Sequence, residues 1–338
     1  MQRTVSQGQN RPAAGGLAAA AVAATVLVAG CGGGSTSSGT SGSGSGASRP
    51  AATGTGPAAT TTHTTTSKPA PPPPHLTLLG NALASTGPSG FVPLVGWRGH
   101  TAVWLARGGS GVALLSFNQQ LVGLRLHSGT IDAGVSGWRW GPAASGSERR
   151  RLVAAFNGAF KLSTQAGGFM SYGRIGAPLR DGLGSIVTYA DGHTDIGTWH
   201  GEVPAAGPAP TSVRQNLTPL IDHGRPAASL DCQSCWGATL GGVPDPARSA
   251  LGITASGRLI WAGGEHLTVA QLADALLQAR VVRAVELDIN PQWVAGYVYR
   301  HRGHSASLTP LPVVPGQVGV PGEFLAPYSR DFFTIVAR

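Results

Sequence analysis

The densest run of chemistry-bearing residues is Val285-Glu286-Leu287-Asp288-Ile289. In an extended chain alternate side chains face opposite ways. Glu286 and Asp288 therefore share one face, and Val285, Leu287 and Ile289 share the other. Carboxylates so placed have Cβ atoms roughly 7 Å apart. They lead into Asn290-Pro291-Gln292-Trp293, where Pro291 ends regular pairing. Paired acids at the end of an apolar strand, opening onto a loop with a tryptophan, suit general acid/base work. Their separation is compatible with either geometry of glycoside hydrolysis once the side chains bend. A plainer use is also open, in which one acid pairs with Arg283 or caps nearby backbone.

Two further clusters carry polar groups in apolar surroundings. Ala155-Phe156-Asn157-Gly158-Ala159-Phe160 is first a turn signal, yet Asn157 at the mouth of a strand both donates and accepts. That suits sugar hydroxyls or a phosphate oxygen. In Arg248-Ser249-Ala250-Leu251-Gly252 a guanidinium enters a strand after the Pro244/Pro246 loop. Arginine grips phosphate with two parallel donors, so Arg248 is read either as an anion clamp or as a salt-bridge partner.

The elements that must position these groups are mostly strands. Residues 112–117, 121–126, 185–189 and 259–262 are short apolar runs bounded by Gly, Asn or Asp. Ala190-Asp191-Gly192 and Ala255-Ser256-Gly257 read as hairpin turns between such runs. One helix is well signalled. Thr268 with Gln271 three residues on makes a capping box, Leu272, Leu276 and Ala279 share a face, and the helix ends near Arg280. Residues 281–289 then form a strand. Pro204, Pro208 and Pro210 mark residues 203–214 as a surface loop.

The chain opens with Arg3 and Arg11, then a short Ala/Val/Leu run over residues 17–30, then Val28-Ala29-Gly30-Cys31. The run is too short to span a bilayer. Small residues before a cysteine resemble a bacterial lipobox, which makes residues 1–30 a lipoprotein signal peptide and Cys31 the lipidated first residue of the mature chain. The other reading is an ordinary secretory leader. Residues 31–74 are almost wholly Gly, Ser, Thr, Ala and Pro, and cannot bury enough apolar surface to offset the entropy of ordering them. They are read as a linker, with Pro71 to Pro74 as its stiffer end. The expected location is the extracellular face of a bacterial membrane. Residues 75–338 remain as one domain.

Of the three cysteines, Cys232 and Cys235 form Cys-Gln-Ser-Cys. In an oxidising compartment this spacing favours a local disulfide. A redox dithiol is the sharper alternative, but no thioredoxin-like strand, motif and helix surround it, and zinc lacks two further ligands at sensible spacing. Residues 75–338 hold all fifteen acids against twenty cations, nineteen of them arginine and one Lys161. A modest positive balance fits an anionic glycan or phosphate-bearing polymer, while the dense basic stripe of a nucleic-acid reader is absent. Arg149-Arg150-Arg151 is the only run.

In order, Phe-Asn-Gly-Ala-Phe, Arg-Ser-Ala-Leu-Gly-Ile-Thr, a Leu-Thr…Gln-Leu-Ala helix and a Glu-Leu-Asp strand resemble the phosphodiester glycosidase domain family, from about Val153 to the C-terminus. The resemblance implies a single mixed α+β domain, β-rich with a few helices. It implies hydrolysis of a sugar-1-phosphodiester, releasing the sugar from its phosphate; for a chain expected outside the cell, the expected substrate lies in cell-envelope glycopolymers. Asn157 falls on the Asn of the family's Asn-Gly-Gly-Phe, Arg248 on its strand-opening Arg, and Asp288 on the Asp of Leu-Asp-Gly-Gly-Gly-Ser. On this reading Asp288 is acid/base or nucleophile, assisted by Glu286 or Asp181, although Asp181 in Leu179-Arg180-Asp181-Gly182 also explains itself as a turn residue. Arg248 holds the phosphate and Asn157 orients the sugar. No cofactor is implied, no metal site is assigned, and the metal requirement is open.

The chain departs from that pattern at Ile289-Asn290-Pro291, where the family has three glycines, and at Ala159. Glycines let backbone amides approach an anion, and proline has no N–H to offer. Two outcomes are open: a different substrate with Trp293 as a sugar platform, or a glycan-binding lipoprotein that no longer hydrolyses.

Overall fold

Apolar runs with no polar alternation belong in strands covered on both faces, and that is where they lie. The computed structural model describes residues 75–338 except 85, 86, 88, 135, 238–241, 244 and 303–306. The expected leader, Cys31 and the linker fall outside the described residues. The described residues lie within one compact unit. Its strands form a nine-stranded sheet and two five-stranded sheets, and every pairing between named strands is antiparallel.

The fold expectation is corrected here. Among the described residues the only α-helix is Val269–Gln278, and the other helical pieces are short 3-10 turns. The domain is mostly β, not mixed α+β. The physical reason is visible in the large sheet. Leu251, Val285 and Leu287 pack into the core between the sheets, while Ala250, Ile260, Ala262 and Ala284 face the helix. One ten-residue helix suffices to cover that second face, and elsewhere sheet packs on sheet.

The helix itself begins as its residues dictate. Thr268 accepts from the Gln271 amide at 3.2 Å and the Gln271 side chain accepts from the Thr268 amide at 2.9 Å. The two turns over residues 190–192 and 255–257 join adjacent antiparallel strands. Residues 203–214 differ in part from the expected loop. Pro210–Gln215 is an inner strand paired on both sides, with Ser212, Val213 and Arg214 buried. Pro210 opens the strand, where a missing N–H costs little. Among the described residues no helix is long and apolar enough to cross a membrane.

Two register points place the functional residues. In one five-stranded sheet Asn157, ending Leu152–Asn157, lies opposite Phe332, which opens Phe332–Ala337. In the large sheet Arg248, opening Arg248–Thr254, lies opposite Ile289, which ends Val281–Ile289. Asn157 bolts the two sheets together. Its Nδ2 donates to Ser249 Oγ at 2.8 Å and to the Gly158 carbonyl at 2.9 Å. Gly158 is required beside it: a Cβ there would lie 2.1 Å from Asp331 Oδ2 and 2.5 Å from the Asp331 carbonyl oxygen. Asp331 cannot yield, because Arg214 grips both its carboxylate oxygens, at 2.8 and 3.0 Å.

Gly158→Ala is therefore expected to destabilise the domain by about 1–3 kcal/mol through overpacking. Chemical denaturation of wild type and variant measures it, and an unchanged midpoint would contradict this account of the junction.

Candidate functional site

Where those strand ends meet, a cleft of about 450 Å³ opens. Phe160 and Lys161 reach it from the segment after Leu152–Asn157. Asp288, Ile289, Asn290 and Trp293 reach it from the end of Val281–Ile289, and Arg330 from just before Phe332–Ala337. Ser234, Cys235 and Gly237 also line it, Gly237 lying against Phe160 and Ile289.

Asp288 is 5% exposed. Its Oδ2 accepts from Arg330 Nη2 at 3.0 Å and its Oδ1 accepts from the Ile289 amide at 2.8 Å. Burial pushes its pKa up to about 7; Arg330 and the Ile289 N–H work against that shift, while Asp331 adds to it. A carboxyl poised there exchanges a proton at neutral pH, as acid/base chemistry needs. Asn290 has φ +83°, the left-handed region that glycine favours and asparagine tolerates better than most residues. The turn after Asp288 thus keeps, at this one position, the backbone conformation that glycine most readily supplies.

Arg330 is the buried cation of the cleft. Besides Asp288 it donates to Asp132 and, at 2.8 Å, to the Ala159 carbonyl. Its guanidinium carbon lies 4.9 Å from the Trp293 ring centroid, and Lys161 Nζ lies 5.4 Å from the same centroid. Trp293 therefore gathers two cations beside one buried acid.

The other expected site residues are placed as follows. Glu286 and Arg248 lie beneath the cleft rather than in its lining. Arg248 is 1% exposed and its donors are engaged: Leu267 and Trp236 carbonyls, Gln233, and Glu286 Oε1 at 2.7 Å. It presents no face to a bound phosphate. Burial drives the Glu286 carboxyl up to about 8, opposed by Arg248 and reinforced by Asp288. Asn157 is buried and reaches Asp288 only through Ser249, whose Oγ donates to the Asp288 carbonyl at 3.2 Å. Asp181 is exposed (side chain 79%), paired with His200 at 2.8 Å, and is not among the cleft residues. Cys232 and Cys235 are joined in a disulfide. It staples the 3-10 turn Gln233–Trp236, which caps Arg248 through Gln233 and Trp236.

Sequence reasoning missed Arg330, Ser249 and the placement of Lys161 beside Trp293. Signals existed for two of them. Arg330-Asp331 is a charged pair directly before an apolar strand, and Lys161 is the only lysine in residues 75–338. Away from the cleft, Glu202, Asp222 and His223 offer ligand atoms within 4.8 Å of one another; His223 already pairs with Asp222 at 2.9 Å.

No protein-family model matches the chain, and no curated protein matches it. Solved structures do. The catalytic domain of zebrafish N-acetylglucosamine-1-phosphodiester alpha-N-acetylglucosaminidase, auto-inhibited by its pro-peptide, matches at 14% identity and a TM-score of 0.43, over 74% of this chain and 81% of that one. A hypothetical protein from Synechocystis matches at 13% identity and a TM-score of 0.41, over 71% of this chain and 63% of that one. A protein from Burkholderia pseudomallei K96243 matches at 12% identity and a TM-score of 0.35, over 72% of this chain and 77% of that one.

The buried acids make stability depend on pH. A carboxyl whose folded pKa is raised binds its proton more tightly when native. The associated stability is complete below the unfolded pKa, near 4, and is lost as pH rises through the folded values. For Asp288 and Glu286 those values are about 7 and about 8. Melting temperature is expected to fall between pH 5 and 8.5, and to fall less in Asp288→Asn. Below about pH 4, where the acid is protonated in both states, asparagine mimics it, so the two proteins should melt alike there. Parallel pH profiles for the two proteins would refute the assignment.

Proposed function

We propose that the chain is a divergent phosphodiester glycosidase, a hydrolase of glycosyl-1-phosphodiesters in cell-envelope glycopolymers. The observation that carries this reading is Asp288, buried and poised near neutrality, facing a cleft in which two lining cations, Arg330 and Lys161, sit together on Trp293. Arg330 and Lys161 supply positive charge for the single negative charge of a diester phosphate, and Arg330 also holds the acid that works beside it.

In the reaction, water oxygen bonds to the anomeric carbon and the bond from that carbon to the phosphate oxygen breaks. The leaving phosphomonoester keeps the electron pair. Asp288 passes its proton to that oxygen and recovers one from the attacking water. Glu286, Arg248, Ser249 and Asn157 are positioning residues: the first two form a buried hydrogen-bonded floor under Asp288, and the last two fix its backbone. Asp181 has no part. The substrate phosphate, not Trp293 stacking alone, then dominates recognition. Anchoring through Cys31 on the outer face of a bacterial membrane places the domain among such polymers, with the membrane touched through the lipid only and no nucleic acid involved.

A second reading has its own observation. Both Asp288 oxygens are already engaged, by Arg330 and the Ile289 amide, as in a site that binds and does not turn over. The same protein preparation separates the two readings. Release of free sugar from nitrophenyl- and UDP-linked sugar-1-phosphates is expected to fall at least 100-fold in Asp288→Asn, with KM changed little, and KM is expected to rise in Arg330→Gln. Saturable binding with no product from any member of the panel would favour the binder and end the hydrolase reading. In the producing bacterium, Cys31→Ser is expected to move the protein from the membrane fraction to the medium; retention in the membrane would exclude the anchor.

A further inference from the structure

A second groove, of about 330 Å³, shares no lining residue with the Asp288 cleft. Gly123 and Val336, paired in one five-stranded sheet, line it together with Thr188 and Thr211 of the other. It sits at the far end of the strand that Arg330 precedes. Phe332–Ala337 rises about 3.3 Å per residue, so its ends, with the cleft at one and the groove at the other, are roughly 17 Å apart.

Four arginines line this groove, Arg125, Arg139, Arg151 and Arg338, against one acid, Asp191. Arg125 is offset from below by the buried Glu148 at 3.3 Å. Among the described residues the other three have no acid partner. Arg338 is fixed without being neutralised: its Nε and Nη1 donate to the carbonyls of Val122 and Asp191, at 3.1 and 2.6 Å. Its main-chain oxygen accepts from Trp97 Nε1 at 3.1 Å, outside the groove. The Arg149-Arg150-Arg151 run is divided here. Arg149 donates to the Ala144 and Leu325 carbonyls, while Arg151 is exposed and reaches the groove.

Charge rather than stacking is what this surface offers. The guanidinium carbons of Arg125 and Arg139 lie over Trp140, 4.1 and 5.3 Å from the ring centroid, and Tyr189 is buried and stacked on His193. Tyr172 is the one exposed aromatic ring of the lining, at 53%. A nucleic-acid strand is held by successive rings on which its bases stack, and one ring does not supply that. An anionic sugar chain needs forked donors for its charged groups and only an occasional ring. Tyr172 also has φ +49°, a conformation that glycine or asparagine adopts with less strain.

We infer that this groove is a docking site for an anionic polysaccharide. Arg139, Arg151 and Arg338 hold its phosphate, sulfate or carboxylate groups, and a sugar ring lies against Tyr172. The inference goes beyond the reading of the cleft and stands whether or not the cleft turns over.

Calorimetric binding of dextran sulfate to the full chain, at about 0.15 M ionic strength, tests it, with unsubstituted dextran expected not to bind. The double variant Arg139→Gln, Arg151→Gln is expected to bind at least about tenfold more weakly with its melting temperature unchanged. The same charge removed from two exposed arginines outside the groove, Arg98→Gln with Arg225→Gln, is expected to cost less than about twofold. Tyr172→Asn, which eases the backbone, is expected to weaken binding about threefold or more without lowering the melting temperature. Equal losses in the two double variants, no loss in Tyr172→Asn, or equally tight binding of an oligothymidylate of matched charge would overturn the docking site.

Discussion

The guanidinium of Arg330 lies between the carboxylates of Asp132 and Asp288, with the Trp293 indole on one side and the Ala159 carbonyl taking a further donor. Each contact ties down a different stretch of chain. Asp132 belongs to the loop after Val122–His127, Ala159 to the turn after Leu152–Asn157, and Asp288 to the end of Val281–Ile289. Charges taken out of water are costly unless each finds an opposite charge and its remaining donors are bonded. The segments must meet in this arrangement for Arg330 to be buried at all, and the cleft is the space their meeting leaves.

The same constraint operates twice more beneath it. Arg214 holds Asp331 and the carbonyls of Phe160 and Gln215, and Arg248 holds Glu286 and the carbonyls of Leu267 and Trp236. Removing one member of such a pair strands the other, typically at a cost of about 3–5 kcal/mol. A floor made this way is stiff. It allows Asp288 to sit in a poorly solvated place, with its proton held to about pH 7, while the strands around it stay in register. Asn157 and Ser249 add the uncharged part of the same floor, crossing from one sheet to the next. Trp293 then gathers Arg330 and Lys161 at the open side, beside an acid that exchanges its proton near neutrality.

Much of this could be read from the residues. The strand around Glu286 and Asp288, the capped helix, both hairpin turns and the Cys232–Cys235 pair follow from local rules: side-chain alternation, a Thr/Gln box, glycine turns and short spacing. What failed had nonlocal causes. The strand Pro210–Gln215 was masked by its prolines, because its pairing partners lie about twenty to forty-five residues away in sequence. Helical content was overestimated because it was carried by resemblance, and the second face of the large sheet needs only one helix to cover it. For Arg248 the residues left clamp and salt-bridge partner both open, because an arginine opening a strand suits either; its partners Leu267 and Glu286, which make it a buried salt bridge, come from other elements.

By itself the sequence determined the local frame: which segments are extended, where the helix starts, which acids share a face, and that two cysteines three apart can close on each other. Those are properties of neighbours along the chain. Only the tertiary structure decided which arginine faces the cleft and which is sealed beneath it, because burial and pairing depend on strand ends brought together from positions 132, 159, 288 and 330. The poise of Asp288 belongs to the same category. A carboxyl far above its ordinary range is a statement about the water its surroundings exclude, and that is set by residues distant in sequence.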